Sequence, residues 1–531
     1  MGIFKKSLWF SLGTVLSRLI GMVRDILMAR FFGSGVLSEA FFVAFRIPNL
    51  FRDMFAEGAL SQAFTKTYSQ LEGQHQEKFI QQFIGNLLVL CTALSFLGIW
   101  LSPVFVDWMT FWVGSDPSKV LLVDYAKKAS SLMFVILPIF MMASVFMGAL
   151  TKHGQFFVSA VGSVFFNIGY ILGIILFPVL LNLVLDPSFD ESFMPRSLFG
   201  LCIGVVFGAF LQLGLFVWKL GDFINVKKLK FGISPEIKGT LLLMLPAAMA
   251  ASTGPINNVI NTNFATSLEA GSVSWLSYAF RIFHLPVAIF AVALGAALMP
   301  TAAALVKKNK QKFVEQFRKS LVGTMWVMSF FTVCTFLAAQ SVVFLLFKRG
   351  EFSVYDVLMT STALKAYSFG LIGYSLVKIM IVYFYATDRT SVPLKIAGVC
   401  VFLNFGLNYF LTQYFSHVAI AMTASFVLSF NAFLLILVMS KSESEFLKGL
   451  LQQEKWLFVA ILLAALSYIL QKYLLFHLFP VSSYANAVIH IAIIGIVSTI
   501  MFAFCACKRL KKNPRELWQW LKSQRKSPRP N

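Results

Sequence analysis

The chain has 531 residues, 58% of them hydrophobic and only 13% charged. Apolar stretches of about 20 residues, long enough to cross a bilayer, recur from one end to the other, which excludes a soluble globular protein. Basic residues outnumber acidic ones by 45 to 23, giving a net charge of +22.

The apolar stretches predict an all-α polytopic membrane protein with about fourteen transmembrane helices. In chain order we place them at residues 8–33, 37–66, 78–112, 118–151, 154–184, 197–220, 235–264, 271–304, 318–347, 355–386, 393–413, 416–440, 455–477 and 484–507. An even number of crossings returns the chain to the side on which it started.

Lysine and arginine concentrate in alternate connections between these helices, for example at residues 219–238 and 307–319. The opposite connections are poor in basic residues and include the acidic stretch 186–191. The positive-inside rule then places both termini in the cytoplasm. Most of the net positive charge is therefore a topology signal and predicts no nucleic-acid partner.

The first two predicted helices carry more charge than a lipid-facing helix tolerates. Their charged residues are Arg18, Arg24, Asp25, Arg30, Glu39, Arg46, Arg52, Asp53 and Glu57. A charge at mid-span costs roughly 2.5–3.5 kcal/mol on insertion scales, so we expect these side chains to face one another or a water-filled cavity. With arginine in excess, such a cavity would attract anions.

The helical period gathers these residues into stripes. One arc of about 120° on the first helix holds Ser17, Arg18, Gly21, Arg24 and Asp25. We expect the glycine to leave room beside the arginines. A narrow face of the second helix holds Glu39, Arg46, Asp53 and Glu57, whereas Arg52 projects from another side.

Two interpretations of the stripes remain open. In one, a buried ion-pair network locks the two helices, with Arg18 paired to Asp25 and Arg46 paired to Asp53. In the other, the arginines bind an anion, because a guanidinium matches phosphate bidentately and keeps its charge at any relevant pH. Arg281 favours the second, since it lies in an otherwise apolar helix with no acidic residue nearby in sequence.

An internal repeat relates two halves of the chain. The tetrapeptide AFRI occurs at residues 44–47 and again at 279–282, in the second helix of each half and followed by proline. Six helices per period make the halves parallel. We therefore predict two six-helix lobes around a central cationic cavity, at residues 1–225 and 226–445. Two additional helices at 446–507 and a basic cytoplasmic tail at 508–531 complete the chain.

Asparagines mark two other helices. Asn257, Asn258 and Asn261 crowd the seventh helix, and Asn404 and Asn408 stand one turn apart in the eleventh. They predict interhelical hydrogen bonds or, alternatively, a weak cation site formed by Asn261, Asn404 and Asn408. Neither the six cysteines nor the six histidines show metal-ligand spacing, and no nucleophile or phosphate-loop motif is present, so the sequence predicts no catalytic residue and no metal.

Several motifs together closely resemble the MurJ/MviN family of lipid II flippases, part of the multidrug and oligosaccharidyl-lipid exporter superfamily. They are SRLIGMVRD at 17–25, FGSG at 32–35, AFFVAFRIPNLFR at 40–52, FAEGA at 55–59, SVSW at 272–275, the span with Arg281, Pro286 and Gly295, and YSFGLIG at 367–373. The resemblance covers nearly the whole chain, and its opening block is highly specific.

The resemblance implies two lobes around a cationic cavity, with the last two helices forming a groove for an undecaprenyl tail. By motif match, the substrate-facing residues would be Arg18, Arg24, Arg52 and Arg281. The supporting cavity residues would be Ser17, Gly21, Asp25, Glu39, Arg46 and Glu57. The chain departs from the family pattern at two positions. Asp53 stands where the family often has a basic residue, and Phe280 stands where the family often has an acidic residue. It also has Asn261 and Asn408 near the positions at which family members with a proposed sodium site have carboxylates, so the resemblance does not imply sodium coupling.

The function expected from this resemblance is translocation of an undecaprenyl-diphosphate-linked peptidoglycan precursor across the bacterial inner membrane by alternating access, for cell wall biogenesis and cell shape. Membrane potential or an ion gradient would drive it, without a cofactor and without enzymatic activity. The partners would be lipid II, bilayer lipids and the cell wall synthesis or division machinery, with the protein itself a monomer. The alternatives are export of another polyprenyl-linked glycan, multidrug export, which predicts an acidic cavity, and an enzyme acting on polyprenyl phosphates.

Overall fold

In a computed structural model of the chain, every described element is a helix, which confirms the predicted all-α class. The structure describes residues 3–54, 60–113, 116–186, 193–221, 223, 229–443 and 481–510. Contacts between elements divide the chain into two compact units, Met1–Trp275 with Arg349–Ser353 (unit 1) and Leu276–Lys348 with Val354–Asn531 (unit 2). The lobe boundaries expected at 225 and 445 stay predictions.

Unit 1 contains nine complete helices and the first turn of a tenth within its described residues. They are α1 (Ile3–Phe32), α2 (Val36–Phe51), α3 (Leu60–Gln70), α4 (Gly73–Met109), α5 (Val120–Met133), α6 (Ile136–Lys152), α7 (Phe156–Val184), α8 (Arg196–Leu220), α9 (Pro235–Thr266) and α10 (Ser272–Pro286). Two single 3₁₀ turns, Phe111–Val113 and Pro117–Lys119, precede α5. The predicted second span therefore appears as α2 and α3, and residues 55–59 between them lie outside the described residues.

Unit 2 begins within α10, which continues into a π-helical segment, Val287–Val292, directly after Pro286. The remaining helices are α11 (Ala293–Lys308), α12 (Lys310–Phe347), α13 (Val354–Ser368), α14 (Gly370–Ala386), α15 (Ser391–Ser442) and α16 (Tyr484–Leu510). The predicted helix at 455–477 and the tail from 511 onward lie outside the described part of the chain.

Seven of the described helices are long and apolar enough to cross a membrane, or up to nine if two bent pairs each count as one span. The pairs are α5 with α6, bent by 42°, and α13 with α14, bent by 48°. α15 has 52 residues but is broken at Ser416, whose φ of 49° is left-handed, where the sequence predicts the boundary between two spans. α1 is not among the seven because its arginines and serines lower its hydropathy. The count of fourteen stays a prediction.

A seam of glycines joins α7 to α8 in unit 1. A Cβ built on Gly204 would lie 2.3 Å from the Cα of Gly173, and one on Gly169 would lie 2.2 Å from the Cα of Gly208. Helices in a bilayer associate through such small residues, which let the backbones approach closely. α7 is therefore held firmly along one side, and it carries side chains of the candidate site described below.

The seam makes a measurable prediction about stability. Gly204→Ala should lower the thermal unfolding midpoint of the purified protein, because the added methyl group overlaps α7 and overpacking of this kind costs about 1–3 kcal/mol. Gly214→Ala on the same helix is the matched control, since a Cβ there meets nothing within 4 Å. Equal midpoints for the two variants would contradict the close approach of the helices.

Candidate functional site

Arg24 on α1 lies at the centre of a polar cluster in unit 1. Its Nη2 is 2.8 Å from Oδ1 of Asp25, and its Nη1 donates a hydrogen bond of 2.8 Å to Oδ1 of Asn167 on α7. The guanidinium carbon also lies 4.9 Å from the ring centroid of Tyr170, one turn further along α7. The Arg24 side chain is thus held in place by three neighbours, and 19% of its surface stays exposed.

Asn167 fixes this arrangement from the α7 side. Its Nδ2 donates to the carbonyl oxygen of Ser163 at 2.9 Å and to that of Ser17 at 3.5 Å, which leaves Oδ1 facing Arg24. Gly21 lies against the same amide, where an added Cβ would sit 3.7 Å from Nδ2. Neither Asn167 nor Tyr170 was predicted from the sequence. The available signal was a polar side chain in an otherwise apolar span.

Arg18 occupies a different environment on the same helix. Its side chain is exposed, and it forms no hydrogen bond or ion pair within the described residues. The expected pair of Arg18 with Asp25 is therefore wrong. Seven helical residues separate their backbones by about 10 Å along the axis, whereas the adjacent Arg24 reaches the Asp25 carboxylate directly.

Arg52 repeats this adjacent pairing just after the end of α2. Its Nη2 lies 3.0 Å from Oδ1 of Asp53, and its guanidinium carbon lies 5.3 Å from the ring of Phe140. Asn49 donates to the other carboxylate oxygen of Asp53 at 3.0 Å. Arg52 is close enough to Arg24 for their like charges to repel, so two predicted substrate-facing arginines share one region.

The other predicted residues of the second span are only partly described. Arg46 is half-buried on α2, and Glu57 lies outside the described residues. Asp53, which departs from the family pattern, offsets the charge of Arg52 and so reduces the local excess of positive charge.

Glu39 lies in a second cluster of unit 1, where the starts of α2 and α10 meet. Its side chain is buried, and its Oε1 accepts a hydrogen bond of 2.9 Å from the backbone N–H of Val273. The Ser38 and Ser274 hydroxyl oxygens are 2.9 Å apart, and Lys119 donates to the carbonyl oxygen of Thr266 at 2.6 Å. A carboxylate at a helix N-terminus is stabilised by the helix dipole. Glu39 thus anchors the start of α10.

Unit 2 contains a third set of polar side chains, on α10 and α14. Arg281 and His284 are half-buried and lie one turn apart on α10. The His284 ring is 5.7 Å from that of Tyr374, and Lys378 Nζ is 5.2 Å from the Tyr374 ring centroid. Of these residues only Arg281 was predicted from the sequence, although a lysine within the apolar stretch 370–386 was a visible signal.

The weak cation site expected from three asparagines draws on both units and stays a prediction. Asn261 belongs to α9 of unit 1, whereas Asn404 and Asn408 are buried on α15 of unit 2. Asn408 donates to Asn404 at 3.5 Å along the same helix. No group of three or more His, Cys, Asp or Glu side chains that could hold a metal ion occurs among the described residues.

Solved structures with the same fold are transporters. "Lipid II flippase MurJ, inward closed conformation" superposes with a TM-score of 0.73 at 22% identity, covering 95% of this chain and all of that one. A multidrug resistance MATE family transporter of the MOP superfamily, in an inward-facing conformation, gives a TM-score of 0.65 at 15% identity, over 81% of this chain and 96% of that one. This chain therefore shares its fold with these solved structures.

Sequence comparison identifies the family. The family model "Lipid II flippase MurJ" matches residues 28–490. A probable lipid II flippase MurJ of Buchnera aphidicola subsp. Schizaphis graminum is 30% identical over 450 residues, covering 82% of this chain and 83% of the relative. The lipid II flippase MurJ of Burkholderia cenocepacia is 30% identical over 450 residues, covering 83% of this chain and 84% of the relative. This chain belongs to the lipid II flippase MurJ family.

Proposed function

We propose that this protein carries lipid II, the undecaprenyl-diphosphate-linked precursor of peptidoglycan, from the cytoplasmic to the periplasmic leaflet of a bacterial inner membrane. The observation that carries the proposal is Arg24, whose guanidinium is held by Asp25, Asn167 and Tyr170 while 19% of the side chain stays exposed. An oriented guanidinium inside a membrane protein suits the two phosphates of such a lipid. The relatives named for this activity supply the substrate class.

The substrate-facing roles follow from the same chemistry. Arg18 is exposed and makes no ion pair among the described residues, so it is available to a ligand. Arg52 keeps 20% of its side chain exposed beside Asp53. We assign the diphosphate to Arg18, Arg24, Arg52 and Arg281. Ser17, Gly21, Asp25, Arg46 and Glu57 support it, and Glu39 contributes by holding the start of α10.

Transport would proceed by alternating access, with both termini in the cytoplasm. The lipid head enters from the cytoplasmic side while its prenyl tail stays in the bilayer, and a conformational change then opens the site to the periplasm. The cluster around Glu39 supports this scheme because it joins the starts of α2 and α10 on the side assigned to the periplasm. Membrane potential or an ion gradient would supply the driving force.

The test is complementation together with reconstitution. Expression of this chain should restore growth and normal shape to cells depleted of their own lipid II flippase, and purified protein in vesicles should move fluorescent lipid II between leaflets. Wild-type abundance without rescue, combined with no flipping in vesicles, would reject the proposal.

Export of another polyprenyl-diphosphate glycan is the second candidate, because the arginines would bind any diphosphate. Vesicles containing such a lipid in place of lipid II distinguish the two candidates. A cationic drug is a poor match for this site, since the carboxylates of Asp25 and Asp53 are already paired with arginines.

A further inference from the structure

Lys378 is the least expected charge in unit 2. It lies at the middle of α14 (Gly370–Ala386), eight residues and about 12 Å from either end, in an otherwise apolar segment. A lysine at such a depth is costly in hydrocarbon, and chains keep one where it faces a partner or a water-filled space. Its side chain is half-buried and therefore reachable.

In the part of the chain that the structure describes, no acidic side chain forms an ion pair with Lys378. Its one recorded contact there is the face of Tyr374, 5.2 Å from Nζ to the ring centroid. A cation on an aromatic face gains about 0.5–2 kcal/mol, which is less than the insertion cost of roughly 2.5–3.5 kcal/mol. The ring therefore orients the ammonium group without neutralising it.

Tyr374 also ties Lys378 to the helix that carries Arg281. Its ring stacks on Phe283 at a centroid distance of 5.9 Å, with 12° between the planes, and lies 5.7 Å from His284. Phe283 is fully buried, so this contact fixes α14 against α10. Lys378, Tyr374 and His284 thus form one continuous group beside Arg281, all within unit 2.

We propose that this group, the Lys378 site, binds an anionic oxygen of the lipid head group and so adds a second cation to Arg281. This inference rests on the proposed function, since it names a further ligand of the same substrate. An ammonium is a compact point charge, which suits a single carboxylate, whereas a guanidinium suits the fork of a phosphate. The head offers both chemistries, as diphosphate and as carboxylates of its peptide.

The test compares ligands on purified full-length protein in nanodiscs. One ligand is lipid II with its peptide, and the other is the same undecaprenyl-diphosphate disaccharide without the peptide. Lys378→Gln should weaken binding of peptide-bearing lipid II about ten-fold, in line with a hydrogen bond to a charged group. Lys378→Arg should retain most of the affinity, and Lys395→Gln, which removes an exposed lysine of α15, should match the wild type.

The two ligands identify which anion is bound. Loss confined to the peptide-bearing lipid assigns a carboxylate, and equal loss for both assigns the diphosphate. Either result supports an anion at Lys378. Unchanged affinity of Lys378→Gln for both lipids, with wild-type binding intact, would overturn the Lys378 site and leave the proposed function standing. Failure of the wild-type protein to bind either lipid would overturn both the Lys378 site and the proposed function.

Discussion

Replacing Arg24 by alanine is expected to abolish rescue of a flippase-depleted strain while leaving the amount of protein in the membrane near the wild-type level. The change removes a cation that contacts Asp25 and Asn167, each at 2.8 Å, and with it the charge that offsets the buried Asp25 carboxylate. The Arg24–Asp25 pair, which has no net charge, becomes a single negative charge that repels a diphosphate. Hydrogen bonds to charged groups contribute about 1.5–3 kcal/mol each, so the loss exceeds ten-fold in affinity.

Two further variants of α1 show whether the loss is specific to the guanidinium of Arg24. Arg24→Lys should restore function only in part, because an ammonium cannot reproduce the guanidinium fork that reaches both partners. Arg30→Ala is the matched control, since Arg30 is exposed in the last turn of α1. Arg18→Ala and Arg281→Ala should fail as Arg24→Ala does. Full rescue by a protein that carries both Arg24→Ala and Arg281→Ala would disprove the anion site.

Cysteines at Ser38 and Ser274 should form a crosslink that stops transport, and reduction should restore it. The two hydroxyl oxygens are 2.9 Å apart, which brings the starts of α2 and α10 within reach of a disulfide or a short crosslinker. If these starts separate during each cycle, a covalent bond between them holds the lipid head inside. The expected loss is complete in the crosslinked fraction.

A second pair of serines supplies the control for the crosslink. The Ser102 and Ser131 hydroxyls are 2.6 Å apart on α4 and α5, both well within unit 1. Cysteines at these positions should crosslink equally well and leave flipping unchanged. Both cysteine pairs should be introduced into a variant of the protein whose native cysteines have been replaced. Transport by the fully crosslinked Ser38→Cys/Ser274→Cys protein would show that α2 and α10 stay together throughout the cycle.

The helical fold could be predicted from hydropathy alone because the bilayer imposes long apolar helices on the chain. Even the break in α15 at Ser416 falls where the sequence places the end of one span and the start of the next. The stripe on α1 was equally accessible, since the helical period alone places Arg24 and Asp25 on the same side of a helix.

The partners of those charges could not be read from the chain. Asn167 and Tyr170 lie more than 140 residues after Arg24, and neither carries a charge that would suggest the contact. The acceptor for Lys119 is a backbone carbonyl, and the donor to Glu39 is a backbone N–H, groups that every residue has. Sequence patterns identify charges that need a partner, but only the packing of helices decides which neutral group supplies it.

The contact between α1 and α7 has a consequence for the order in which the protein is made. α1 leaves the ribosome before α7, yet its arginines make it a poor candidate for spontaneous insertion. The neutral groups that hold Arg24 are synthesised 143 residues later, on α7. We therefore expect α1 to take its final position only after α7 has been made, although α1 precedes α7 in the chain.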